Sequence, residues 1–125
     1  MKERSIYYYR NGYNCSQCVL KAVESKYGKP ISKMTLTMLN GVNVGFGIGG
    51  VCSVLIAGVM AFGMFFDSDT VKRLRLRLFD EFTSLYPNIN CSALIKIRGA
   101  EGKCEKLIGD IAGIIERLIE SEIRN

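Results

Sequence analysis

Residues 45–66, GFGIGGVCSVLIAGVMAFGMFF, decide the fold. Gly45, Gly47, Gly49 and Gly50 fall within six residues, Cys52 follows, and the chain then stays almost wholly apolar to Phe66. A segment that is apolar on every side cannot lie on a surface, so it is either a helix enclosed by other helices or a membrane span. Residues 51–66 as a helix cover about 24 Å, short of a hydrocarbon core of roughly 30 Å. Extending the helix back through the glycines costs roughly 1 kcal/mol for each relative to alanine. The expectation is a buried central helix over about residues 51–66 and no membrane association. The glycine loop before it turns tightly and delivers Cys52 to the first helical turn.

Working outward, Asn14 is an N-cap for CSQCVLKAVESKYG, in which Cys15, Cys18/Val19, Ala22/Val23 and Tyr27 share a stripe, with Gly28 and Pro30 as the stop. Ser32 caps a short helix to about Asn40. Residues 4–10, RSIYYYR, give no clear period. After Asp67, Ser68 or Asp69 caps a segment in which Val71, Leu74, Leu78, Phe82 and Leu85 recur at spacings of three and four. Its RLRLRL alternation also fits a strand, but only the helical stripe runs the whole length to Pro87. CSALIKI follows Asn90 and ends at Gly99. Gly102 introduces a last helix, from Lys103 to about Arg124, with Leu107/Ile108, Ile111, Ile114/Ile115, Leu118 and Ile119 inward. The fold class is all-α, one domain over residues 1–125, a bundle of about five to six helices around the central apolar one.

The chain has 125 residues, a formal net charge of +5, five cysteines and no histidine. The missing histidine excludes Cys-His and Ser-His catalysis and leaves any metal site to sulfur and oxygen. Residues 1–14 have no continuous apolar stretch of the kind a secretory leader carries, and the cysteine count is odd, so a cytoplasmic protein with thiols is expected rather than a secreted disulfide framework. Arg73 and Arg77 share a helical face with Lys72 or Arg75 nearby. No aromatic residues interleave them, so this is a solvated face or a dock for an acidic redox partner before it is a nucleic-acid surface.

Counting antiparallel helix directions brings the N-termini of the helices carrying Cys15, Cys52 and Cys104 to one end of the bundle, and Cys91 follows the upward helix to the same end. Amides at helix N-termini favour an anion, so lowered thiol pKa values are expected, with Cys52 as the central thiol. Cys15-Ser16-Gln17-Cys18 is also a CxxC, though Cys18 reads as a core residue. The GxGxxG at residues 45–50 lacks the strand context of a dinucleotide site. Met60 and Met64, one turn apart, read as core filling before they read as soft ligands.

The pattern resembles the family named for its cysteines, C_GCAxxG_C_C, described as redox-active proteins. The resemblance rests on Gly12, Asn14, Cys15 and Gln17, on the glycine loop with Cys52, on Cys91 followed by Leu94, and on Cys104. Ser53, Val54 and Ala57 stand where the family has a small Gly-Ala pair and a second glycine, and Cys18 where it has a small non-cysteine residue. The resemblance implies an all-helical fold and a thiol-based redox or metal role. Cys15, Cys52, Cys91 and Cys104 are thus expected as the catalytic thiols of a thiol-based oxidoreductase, working with a redox partner protein. The same four are the expected ligands if the function is electron transfer through zinc or an iron–sulfur centre. The rival expectation is a non-catalytic structural or interaction protein, such as a helical homodimer, with packing cysteines.

Overall fold

The computed structural model describes residues 1–98 and 104–124. They form α1 (Lys2–Arg10), α2 (Cys15–Tyr27), α3 (Lys33–Met38), α4 (Ser53–Gly63), α5 (Ser68–Leu85), α6 (Cys91–Arg98) and α7 (Glu105–Arg124). A 3-10 turn (Leu39–Gly41) and the glycine loop (Gly45–Gly49) lie between α3 and α4. The fold is all-α, and β pairing among the described residues is limited to one antiparallel bridge, Val51 with Asn90. Among the described residues the helices number seven, the expected set together with α1, because residues 2–10 are helical. Even so, five of them make the bundle: α2 packs on α4, α1 on α2 and α7, and α4 and α5 on α7, while α3 lies on the 3-10 turn and α6 on the glycine loop. The expected boundaries at Gly99, Gly102 and Lys103 lie outside the described residues.

Helix faces follow the sequence periodicity. On α7, Leu107, Ile108, Ile111, Ile115, Leu118 and Ile119 are buried, as their three-four spacing requires. On α5, Leu74, Leu78 and Phe82 are buried, whereas Leu76 points to solvent and the RLRLRL stretch is helical. Leu85 departs from the expected stripe and is exposed at the helix end. Asp67, rather than Ser68 or Asp69, caps α5, its Oδ1 accepting the Thr70 N–H at 3.0 Å.

Ion pairs record the directions. Arg73, near the start of α5, holds Glu122 at the end of α7 through two bonds of 3.0 and 2.6 Å. Glu81, late in α5, meets Arg117, earlier in α7. These helices are antiparallel, and Arg73 belongs to a bridge within the chain rather than to an open basic face. Lys26 pairs with Glu116 and Glu120. Lys26 and Glu116 each lie about three turns beyond the cysteine at the start of their helix, so α2 and α7 run parallel from a shared end.

The central helix is shorter than residues 51–66. Val51 is held in the bridge, Cys52 is the N-cap, and α4 runs from Ser53 to Gly63, about 16 Å. Phe65 and Phe66 leave the helix, and the Phe65 ring meets Tyr27 edge-on at 5.2 Å. No helix among the described residues is long and apolar enough to cross a membrane. The enclosure of α4 is also incomplete: Met60 and Met64 line an open cleft of about 280 Å³ with Leu20, Pro30, Ile31, Ser32 and Thr35. On the enclosed side, a Cβ added to Gly58 would stand 2.8 Å from Ile115 Cδ1 and 3.0 Å from Leu78 Cδ2, so the Ile115 and Leu78 side chains pack directly on the α4 backbone there.

Candidate functional site

Each cysteine reaches the shared end by a different local device. For Cys15 the device is a capping box. The Asn14 Oδ1 accepts the Gln17 N–H at 3.0 Å, and the Gln17 Oε1 accepts the Asn14 N–H at 3.0 Å. The Asn14 carboxamide also accepts the Ser16 hydroxyl at 2.7 Å and donates to the Leu39 carbonyl at 3.3 Å, while Gln17 donates to the Leu36 carbonyl at 2.7 Å. The Asn-Cys-x-Gln motif therefore fixes both the helix start and the segment beside it. Asn14→Ala is expected to lower stability by about 1–2 kcal/mol, the loss of an N-cap together with its tertiary tie, read as a lower urea midpoint.

Cys52 and Cys91 are positioned together. The bridge is flanked by two reciprocal bonds, Cys52 N–H to the Ile89 carbonyl at 2.8 Å and Cys91 N–H to the Gly50 carbonyl at 2.7 Å. Both cysteine backbones are thereby clamped in one short ladder at the points where their helices begin. The glycine loop supports the clamp by closing on itself, Gly50 N–H to the Gly45 carbonyl at 2.9 Å. It also lies against α6, where a Cβ at Gly49 would stand 2.7 Å from Ser92 Cβ. Val44 and Phe46 have positive φ, and together with Ile48 they are exposed. The GxGxxG motif is thus a tight loop packed on the start of α6, where its Gly50 carbonyl holds the Cys91 N–H.

Cys104 precedes α7, its carbonyl accepting the Ile108 N–H at 2.7 Å. The Cys15 thiol hydrogen-bonds to Cys104 and also feels Cys52 and Cys18. Cys52 in turn feels Cys91 and Cys104. The four expected cysteines therefore meet at one end of the bundle, with Cys52 in the middle and buried, and Cys15, Cys91 and Cys104 half-buried. Cys18 is fully buried, donates to the Tyr13 carbonyl at 3.6 Å, and has its pKa pushed up to about 12 by burial. It sits in the core, as its position on the stripe suggested.

The expected lowering of the thiol pKa values does not hold for Cys15 or Cys52. The hydrogen bond to Cys104, followed by burial, pushes the Cys15 thiol far up. Burial raises Cys52 as well, even though the N–H groups of Val54 and Leu55 point at its sulfur and act in the opposite sense. Desolvation and neighbouring thiols outweigh the helix N-terminus here, because a dry site disfavours every charge and a cluster disfavours a second one. Among the described residues, no three Cys, Asp or Glu side chains are grouped so as to hold a metal ion.

Tyr9, at the end of α1, completes the site and was not legible as part of it. Its hydroxyl contacts both the backbone N–H and the side chain of Cys104, and burial together with Cys104 raises its pKa. Next to it, Arg10 grips Glu105 through bonds of 2.8 and 3.0 Å. Two consecutive residues of α1 thus hold two consecutive residues at the start of α7. The only sequence hint was the run of tyrosines in a segment without an apolar period.

The cysteine order and spacing match the family described as "Putative redox-active protein (C_GCAxxG_C_C)" over residues 13–118. The chain belongs to the C_GCAxxG_C_C family. No curated protein and no solved structure matches it. Membership carries a redox role in general terms. Against the family pattern, Ser53, Val54 and Ala57 are all buried, and the close backbone approach on α4 falls at Gly58.

Proposed function

We propose that this protein carries out thiol–disulfide exchange in the cytoplasm, passing oxidising equivalents to or from a redox partner protein through Cys15 and Cys104, with Cys52 and Cys91 behind them. The observation that supports this reading is the thiol–thiol hydrogen bond between Cys15 and Cys104, which joins two helices distant in sequence. Sulfurs already in contact need only a short approach to reach an S–S bond of about 2.05 Å. In the exchange, the two thiols give up two protons and two electrons while the partner's disulfide is reduced to two thiols. The backbone clamp that holds Cys52 beside Cys91 supports a role for them as a second pair that receives the disulfide from the first.

Titrating the reduced, full-length protein with glutathione disulfide and mapping the cross-linked peptides tests this. A Cys15–Cys104 disulfide is expected to form first, followed by species that contain Cys52 or Cys91. Failure to form any intramolecular disulfide would overturn the reading. So would stoichiometric zinc or iron, with a visible spectrum for iron, retained after anaerobic purification. A redox-silent packing cluster would give the first of these results and a thiolate metal centre the second.

A further inference from the structure

Two donors converge on the sulfur of Cys104. The Cys15 S–H is one, and its proton is held by that contact. The Tyr9 O–H is the other: its oxygen already accepts the Cys104 N–H, which leaves the hydroxyl hydrogen for the sulfur. Cys52 also has two donors, the Val54 and Leu55 N–H groups, but burial outweighs them there; Cys104 is only half-buried, so bonds to its charged form keep their stabilising effect. The Arg10–Glu105 fork keeps the end of α1 against the start of α7, so Tyr9 meets Cys104 in a fixed geometry.

We propose, resting on the exchange reading above, that Cys104 is the attacking sulfur, that Cys15 resolves, and that Tyr9 is the positioning residue that assigns these roles. The Cys104 thiol loses its proton to solvent, and the thiolate attacks one sulfur of the partner's disulfide. The Cys104–partner S–S bond forms, the partner's own S–S bond breaks, and its electron pair leaves on the departing thiolate. Cys104 no longer carries charge in this mixed disulfide, so the contact that held the Cys15 proton is gone. Cys15 then loses its proton and attacks the Cys104 sulfur. The Cys15–Cys104 bond forms and the second partner thiolate leaves. Tyr9 touches the attacking atom without exchanging any atom with it.

The test uses the reduced full-length protein and glutathione disulfide, with a short exposure, an acid quench and peptide mapping. Glutathione is expected first on Cys104. Tyr9→Phe, which keeps the ring and loses only the hydroxyl, is expected to slow this first attack about tenfold, the scale of one hydrogen bond to a charged group, and to leave the later closure by Cys15 unchanged. A thermal melt close to that of the unmodified protein accompanies this result, whereas a merely structural role would shift the melt and slow both steps together. Glutathione arriving first on Cys15, or an attack rate unaltered by Tyr9→Phe, would overturn the assignment even if the Cys15–Cys104 disulfide still forms. If no disulfide forms in the unmodified protein, the exchange reading falls, and this assignment with it. The site of first addition in the unmodified protein decides the matter even if the variant does not fold.

Discussion

In the Cys15→Ser protein, reaction with glutathione disulfide is expected to stop half-way, releasing one equivalent of thiol where the unmodified protein releases two, and leaving glutathione on Cys104 as a stable adduct. The hydroxyl introduced at residue 15 can still donate to the Cys104 sulfur, so the first attack survives, but it cannot attack a disulfide. Cys52 is the nearest alternative resolver, since it also lies beside Cys15 and Cys104. Its sulfur is buried and its thiol raised by that burial, so closure through it is expected to be slower by about a hundredfold. Cys104→Ser removes the attacking sulfur and is expected to slow even the first equivalent by a similar factor. By contrast, Cys18→Ser should release both equivalents within about twofold of the normal rate, because Cys18 is committed to the Tyr13 carbonyl and the core. Counting released thiol and weighing the intact protein separates these outcomes. Two equivalents from Cys15→Ser at the normal rate would remove Cys15 from the mechanism.

What could be read from the sequence divides along a physical line. Periodicity records which face of a helix is buried, so the α7 stripe and the α5 stripe through Phe82 were legible, and with them the all-α fold. Short connections fix helix directions, and from these the meeting of Cys15, Cys52, Cys91 and Cys104 followed. What the sequence hid depends on contacts between distant segments. The bridge of Val51 with Asn90 takes Val51 out of the central helix and makes Cys52 its cap, and no local signal marks that pairing. The thiol pKa values went the other way because a helix N-terminus is a local feature, whereas desolvation and neighbouring thiols exist only once the bundle is packed. Tyr9 was missed for the same reason: its role lies in α1 meeting α7, and RSIYYYR on its own offers no apolar face to predict that contact.

Gly45→Val is expected to be the most damaging single change outside the core, lowering stability by about 3 kcal/mol or more and freeing Cys91. Two costs add at this position. Gly45 has φ +56°, a conformation that a β-branched residue adopts only under strain, and a Cβ there would lie 2.2 Å from the Gly50 carbonyl oxygen. Because the obstacle is backbone, no side chain can swing aside to make room. Relief requires opening the loop, which breaks the Gly50 N–H bond to the Gly45 carbonyl and moves the Gly50 carbonyl that holds the Cys91 N–H. The damage therefore travels through a hydrogen-bonded chain to one cysteine of the site. Gly47 provides the comparison within the same loop: its φ is +76° but nothing lies within 4 Å of the added Cβ, so Gly47→Ala should cost only backbone strain, about 1 kcal/mol. Gly41, with open space and no positive φ, should tolerate alanine at almost no cost. Urea unfolding of the three variants gives the order of stability, and alkylation of the folded proteins shows whether Cys91 alone becomes faster to react in Gly45→Val. Equal losses at Gly45 and Gly47 would mean that strain, rather than closure of the loop on the cysteine clamp, accounts for the glycines in this stretch.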